Sequence, residues 1–232
     1  MHEPFVIRYE FAWSDGTKRS FLVELDPTTL AIVSRAPTSP PEWAKLDYQK
    51  CPNCPLSSME FPHCPTAVQV ADVVGTFAET YSYDTAEVHV WVSGREIIKK
   101  TSVQTSLSSL LGIFMTTSGC PVLAKLRPLV RFHSPFATEE ETFFRSVALY
   151  LIAQYLRQQS GQTADWSLNG LSAIYQDIGT VNKAFAERLR VGGSKDANLN
   201  AVIRLDMFAK GMPQVIEDGL AELRPLFEIM MS

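Results

Sequence analysis

Several features are scarce in this chain of 232 residues, and each scarcity excludes a class of protein. No apolar run approaches the roughly 20 residues that cross a membrane. The longest runs, near 109–115 and 147–152, are far shorter. The net charge is only −4, which argues against a general electrostatic surface for nucleic acid or an anionic membrane. The N-terminal segment carries an early acid, Glu3, and no cationic stretch before an apolar run, so no secretory signal is predicted. We therefore expect a cytoplasmic protein.

Cysteine is also scarce, but every cysteine directly precedes a proline. At an average proline usage of about 5%, four such coincidences would arise at a frequency on the order of one in 10⁵. Proline suits the first position of a helix and leaves the preceding residue extended. Each thiol is therefore predicted at the start of a helix or in a tight turn, where partial positive charge favours the thiolate. The pairs are Cys51-Pro52, Cys54-Pro55, Cys64-Pro65 and Cys120-Pro121.

The cysteine spacing favours a metal centre. It reads C-x2-C-x9-C, and the fourth cysteine follows after 55 further residues. In a reducing cytosol a C-x-x-C pair is typical of metal or redox sites rather than structural disulfides. A 4Fe–4S cluster is favoured because proline directly follows a ligating cysteine in the bacterial ferredoxin run. Zinc is the alternative, because thiolates alone serve both metals. The predicted ligands are Cys51, Cys54, Cys64 and Cys120, with His63 as an alternative to Cys120.

Three functions remain open for such a centre. The first is a redox or iron-sensing role in regulation. The second is a zinc-stabilised binding or regulatory module without catalysis. The third is a cluster-dependent enzyme that acts on a small substrate near Arg127, Arg131 and His133. The sequence does not decide whether the protein is an enzyme, and it leaves substrate, pathway and oligomeric state open.

Strands are predicted in the first half of the chain. Apolar and polar residues alternate from Phe5 to Trp13 and again around Val23, so residues 5–33 predict an antiparallel β-hairpin, extended to a three-strand meander that ends at 30–33. Alternation at Val88, Val90 and Val92 predicts a second hairpin. A helix is predicted from Pro65, and the proline-rich stretch 36–41 predicts an exposed connection.

The second half is predicted to be helical. Thr138 and Glu141 form a capping-box pattern, which starts one helix. A second long helix covers 171–189, and Gly192-Gly193 ends it. The shorter predicted helices cover 106–115, 121–132 with a kink at Pro128, 197–210 and 213–230. The predicted fold class is α+β: an N-terminal antiparallel β-hairpin or meander and a second hairpin, packed with a mainly helical C-terminal half.

The domain organisation and the partners follow from these elements. Residues 1–135 are predicted as an α+β region that contains the cysteine site, and residues 136–232 as a helical region packed on it as a single compact unit. Near the C-terminus, apolar residues recur at helical spacing: Leu220, Leu223, Phe227 and Met230. This face is predicted to belong to the core or, alternatively, to bind a protein partner or a second copy. No nucleic-acid or membrane partner is expected.

Overall fold

The sheet is formed by two hairpins. A computed structural model describes residues 3–33, 39–192 and 196–232. Strands β1 (Phe5–Ala12) and β2 (Lys18–Leu25) make the first hairpin, and β3 (Thr85–Val92) and β4 (Arg95–Ser102) make the second. The strand order is β2-β1-β3-β4, and all neighbours are antiparallel. Both predicted hairpins are confirmed. The predicted third strand is wrong, because in the described residues Ile32 forms only a single bridge, to Leu25.

One face of the sheet is buried by alternating apolar side chains. On β1 the residues Phe5, Ile7, Tyr9 and Phe11 point inward, as the period of two predicts. The rings of Phe11 and Phe77 meet edge to face, with their centroids 4.9 Å apart. Residues of the sheet and the helices belong to one hydrophobic cluster. The inner face of β1 therefore forms part of the main core.

Seven α-helices follow or interrupt the strands in the described residues, so the predicted α+β class with a helical C-terminal half is confirmed. Two 3₁₀ turns, Glu42–Ala44 and Leu123–Leu126, accompany them. The helices are α1 (Pro65–Thr76), α2 (Val103–Thr117), α3 (Pro128–Arg131), α4 (Glu139–Gln159), α5 (Asn169–Val191), α6 (Asp196–Glu217) and α7 (Arg224–Met231).

Some helix boundaries are determined by residues close to them in the sequence. The capping box that begins α4 is confirmed: Thr138 accepts from the backbone N–H of Glu141, and the Glu141 side chain accepts from the backbone N–H of Thr138. The helix predicted over 121–132 is instead the 3₁₀ turn Leu123–Leu126 followed by the four-residue α3, which starts at Pro128. Proline lacks the N–H that a continuous helix needs at that position.

The last two predicted helices have different limits in the structure. Helix α6 runs through Pro213 to Glu217 instead of ending at Lys210. The helix predicted over 213–230 is therefore shorter, and α7 covers only Arg224–Met231. Helix α6 packs along α5 and α2, and this packing holds its backbone helical despite the proline. Helix α5 ends at Val191 with Gly192 as its C-cap, while Gly193 and residues 34–38 lie outside the described residues. None of the helices in the described ranges has both the length and the apolar character needed to cross a membrane.

Candidate functional site

The four cysteines lie around one small cavity, which we call the cysteine cavity. Its volume is about 20 Å³, and it is also lined by Val122, Val181 and Phe185. Cys51 and Cys54 bracket a turn in which the Cys54 N–H donates to the Cys51 carbonyl at 3.0 Å. Cys64 is the N-cap of α1, with Pro65 at the first helical position, as the Cys-Pro pattern predicts. Cys120 follows α2.

The predicted function as a metal-centre protein is wrong. In the described part of the chain, no group of three or more His, Cys, Asp or Glu side chains is placed so that it could hold a metal ion. All three predicted functions need a metal centre, so this finding overturns each of them: the redox or iron-sensing role, the zinc-stabilised module and the cluster-dependent enzyme. His63 pairs in a single β-bridge with Lys45, and it is not among the residues that line the cysteine cavity.

Burial affects the protonation of two of the thiols. Burial raises the pKa of the Cys51 thiol to about 12, and burial also raises the pKa of Cys64. In the metal-free chain these surroundings favour the neutral thiol over the thiolate. For Cys51 and Cys64, the expectation that helix and turn positions favour the thiolate is wrong, because the loss of water outweighs the partial charge of the backbone. Cys51 and Cys64 are partly buried and pack against the hydrophobic core.

A buried arginine holds the segment that precedes Cys51. Arg188 on α5 is 1% exposed. Its guanidinium donates to the carbonyls of Trp43 at 2.6 Å and Lys45 at 2.7 Å, and more loosely to those of Leu46 at 3.2 Å and Gln49 at 3.4 Å. These bonds attach residues 43–49 to the helical half. The signal in the sequence is a cation on the apolar face of α5, three residues after Phe185.

A second cavity, larger than the cysteine cavity, lies between α2, α4, α5, α6 and the segment 123–137, and we call it the main cavity. Its volume is about 180 Å³. Apolar side chains supply most of the wall, among them Ile113, Leu126, Val130, Ile178, Leu205 and Phe208. Several polar side chains also line it: Ser109, His133, Arg145, Tyr175, Asn182 and Arg204. A mostly apolar wall with a few polar groups is typical of a small-molecule site.

His133 lies at the wall of the main cavity next to the sheet. Its Nε2 lies 2.6 Å from the hydroxyl of Tyr9, which lies 2.9 Å from the Ser109 hydroxyl. Burial, and to a lesser degree the charge of Arg145, lowers the pKa of His133 to about 3. Burial raises the pKa of Tyr9 well above its usual value. At neutral pH the imidazole is therefore uncharged and the phenol keeps its proton.

Arg145 and Arg204 bring positive charge to the same cavity. A terminal nitrogen of Arg145 donates to the Leu129 carbonyl at 3.2 Å. The Nε atoms of both arginines are closed off from solvent and have no hydrogen-bond partner among the described residues. Burial lowers the pKa of Arg145, because the guanidinium has lost water. Within the described residues that line the cavity, none is aspartate or glutamate.

The residues of the enzyme hypothesis, Arg127, Arg131 and His133, do not form one site. Arg131 lies over the Phe5 ring at 4.6 Å, and Lys125 pairs with Asp177 at 3.3 Å on the surface. Arg127 donates to the Thr29 carbonyl at 3.4 Å. Of the three residues in the enzyme hypothesis, only His133 lines the main cavity. Neither Arg145 nor Arg204 was predicted, and their signal is a cation within an amphipathic helix.

The comparisons with known proteins give a family without an assigned activity. The model of a family described as "Domain of unknown function (DUF6901)" matches residues 7–228. No curated protein matches the chain. No solved structure matches it either.

Proposed function

We propose that this chain, which belongs to the DUF6901 family, binds a small and mostly apolar molecule in the main cavity. The observation that carries the proposal is a space of about 180 Å³ with apolar walls and a small set of convergent polar groups. A concave space of this size, with mostly apolar walls and a few polar groups, is typical of the sites that bind small molecules.

The size of the cavity limits the ligand. An engineered apolar cavity of about 150 Å³ binds benzene. The main cavity, at about 180 Å³, is slightly larger. It therefore fits a single ring or a short chain with one polar end. Contact with side chains such as Ile113 and Leu205 would remove the apolar part of that molecule from water.

The protonation of His133 favours binding over catalysis. A general base works best when its pKa lies near the operating pH. The pKa of His133 is about 3, far below neutral pH. The bonds between Ser109, Tyr9 and His133 therefore support the cavity wall, and we propose no proton transfer through them.

Toluene tests the proposal directly, because it fits the volume and carries no charge. We expect saturable changes in the methyl NMR signals of Ile113 and Leu205, together with an increase in Tm with toluene concentration. Ala209 is 2% exposed and lines the cavity, so Ala209→Leu should fill the space and abolish both effects.

The control for Ala209→Leu is Ala173→Leu, the same change at an exposed position of α5. This variant should bind toluene like the wild type. The proposal fails if toluene leaves the lining methyl groups unchanged in the wild type. It also fails if Ala209→Leu binds as well as the control.

We also propose that the protein resides in the cytoplasm. The four cysteines are free, and free thiols in this number fit a reducing compartment. A partner at the C-terminal helices stays a prediction. Leu223 is buried and the Phe227 ring stacks on Phe144, whereas Met230 is 80% exposed.

A further inference from the structure

The charged side chains that line the main cavity are both cationic. Arg145 and Arg204 both line it, and no carboxylate of the described residues lies in its wall. His133 does not change this balance, because it is uncharged at neutral pH. Removing a cation from water costs free energy unless a partner compensates. The two guanidinium groups therefore give the cavity wall a positive charge, and Glu141, which acts on Arg145, lies outside that wall.

The chemistry of the two arginines favours an anionic ligand. A guanidinium presents its N–H groups as a planar fork that matches a carboxylate. Arg145 uses one terminal nitrogen for the Leu129 carbonyl, at 3.2 Å. The N–H groups of the two arginines that reach the cavity can donate to an anionic ligand.

A third polar group can assist the same ligand. Asn182 on α5 is 3% exposed and lines the cavity. Its side-chain amide has two N–H donors and one acceptor. The amide can therefore donate to an acid group without adding a further charge. Polar donors from α4, α5 and α6 meet in this way at one cavity.

Resting on the binding function proposed above, we infer that the ligand is a small carboxylic acid, bound as the carboxylate by Arg145 and Arg204, with a single ring or short chain against the apolar wall. The volume of the cavity excludes a ligand much larger than a single ring, and its apolar walls exclude a ligand that is polar throughout. A carboxylate is favoured over a phosphate monoester, because a dianion loses more hydration on entering an apolar site.

Four small probes test the ligand class by calorimetric titration at pH 7. Phenylacetate and phenylacetamide have nearly the same shape and differ in charge. Benzylphosphonate carries a phosphate-like head, and toluene has no polar head. We expect phenylacetate to bind roughly ten- to a hundredfold more tightly than phenylacetamide, the range expected for hydrogen bonds between charged groups. Phenylacetate should also bind more tightly than benzylphosphonate.

Arginine variants assign the effect to the site. Arg145→Gln and Arg204→Gln should each weaken phenylacetate binding by about tenfold and change phenylacetamide binding little. Arg145→Lys keeps the charge but loses the planar fork, so it should fall between wild type and Arg145→Gln. Arg157→Gln is the matched control, because Arg157 lies on α4, is exposed and does not line the cavity.

The outcomes separate the two proposals. If none of the four probes binds, the proposed function itself fails. If toluene and phenylacetamide bind as tightly as phenylacetate, the cavity is a binding site and the carboxylate inference is wrong. If benzylphosphonate binds most tightly, the ligand is a phosphate rather than a carboxylate. If a variant does not fold by circular dichroism, the comparison of phenylacetate with phenylacetamide on the wild type decides alone.

Discussion

The hydroxyl of Tyr9 lies 2.6 Å from Nε2 of His133, so an interior strand of the sheet is hydrogen-bonded to the wall of the main cavity. Strand β1 pairs with β2 on one side and β3 on the other, and Tyr9 is fully buried within it. The two rings also lie close, with their centroids 5.9 Å apart. The sheet therefore fixes the position of His133.

Tyr9→Phe should destabilise the protein although it removes only one oxygen. The substitution leaves His133 and Ser109 without their shared partner. We expect the free energy of unfolding to fall by about 1–3 kcal/mol. Urea unfolding measures this change. Tyr83→Phe, at a side chain that is 69% exposed, should have almost no effect. Equal stability of both variants would show that the Tyr9 bonds contribute nothing net.

The stability should decrease as the pH is lowered from about 6.5 toward 3. Between these values the unfolded chain binds a proton at His133 that the folded chain does not, because the folded pKa is about 3. The free energy of unfolding should fall by up to about 1.4 kcal/mol per pH unit. Urea titrations at pH 6.5, 5.5 and 4.5 should show a flatter dependence for His133→Gln. An identical slope in both proteins would contradict the lowered pKa of His133.

His89 should shift the same curve in the opposite direction. Hydrogen bonds to Glu96 and Glu87 raise the pKa of His89. Its contribution is therefore complete below its ordinary pKa of about 6.5 and is lost as the pH rises through the raised value. In the wild type the free energy of unfolding should therefore fall as the pH rises above about 6.5, and His89→Gln should lack this fall. Urea titrations above pH 6.5 measure this difference, and equal slopes in both proteins would show that the hydrogen bonds of His89 to Glu87 and Glu96 do not affect stability.

Arg188→Met should detach residues 43–49 from α5. The substitution leaves the carbonyls of Trp43 and Lys45, among others, without their donor. We expect a loss of about 3 kcal/mol or more in the free energy of unfolding. Arg190→Met is the matched control on the same helix, because Arg190 is exposed and pairs only with Glu187 among the described residues. Comparable losses in both variants would rule out a special role for the buried guanidinium.

The Cys51 thiol should react slowly in the folded protein. Its pKa is about 12, against an ordinary value of 9.0. Its thiolate population at pH 7 should therefore be about a thousandfold lower than in the unfolded chain. Iodoacetamide labelling followed by peptide mass spectrometry measures the rate in buffer and in urea. Fast labelling of Cys51 in buffer would show that the thiolate is populated and would contradict the raised pKa.

The sequence predicted an element correctly where the residues of that element alone determine its structure. The alternation in β1 depends only on which residues face the core, and the Thr138 capping box satisfies its own backbone groups. Pro213 shows the limit of this reasoning. A local rule predicts a break there, but α6 continues because packing against α5 and α2 stabilises it. The single bridge of Ile32 likewise depends on how the connection after β2 runs.

Most of the candidate site could not be predicted from residues that are close together in the sequence. The Cys-Pro pattern correctly placed Cys64 at the start of a helix, but burial reversed the expected effect on its thiol. The main cavity depends on Arg145 and Arg204, which are 59 positions apart and lie on different helices. No spacing rule relates such residues. They are brought to one cavity only by the packing of α4, α5 and α6.

The hydrogen bonds of Arg188 also constrain the order in which parts of the chain fold during translation. The Trp43 carbonyl that Arg188 holds lies 145 positions earlier in the chain. At about 5–20 residues per second, translation needs roughly 7 to 30 s to cover that separation. A nascent chain that has not yet released α5 from the ribosome therefore lacks the anchor for residues 43–49. The cysteine-bearing segment beyond them must wait for α5 before it acquires its final partners.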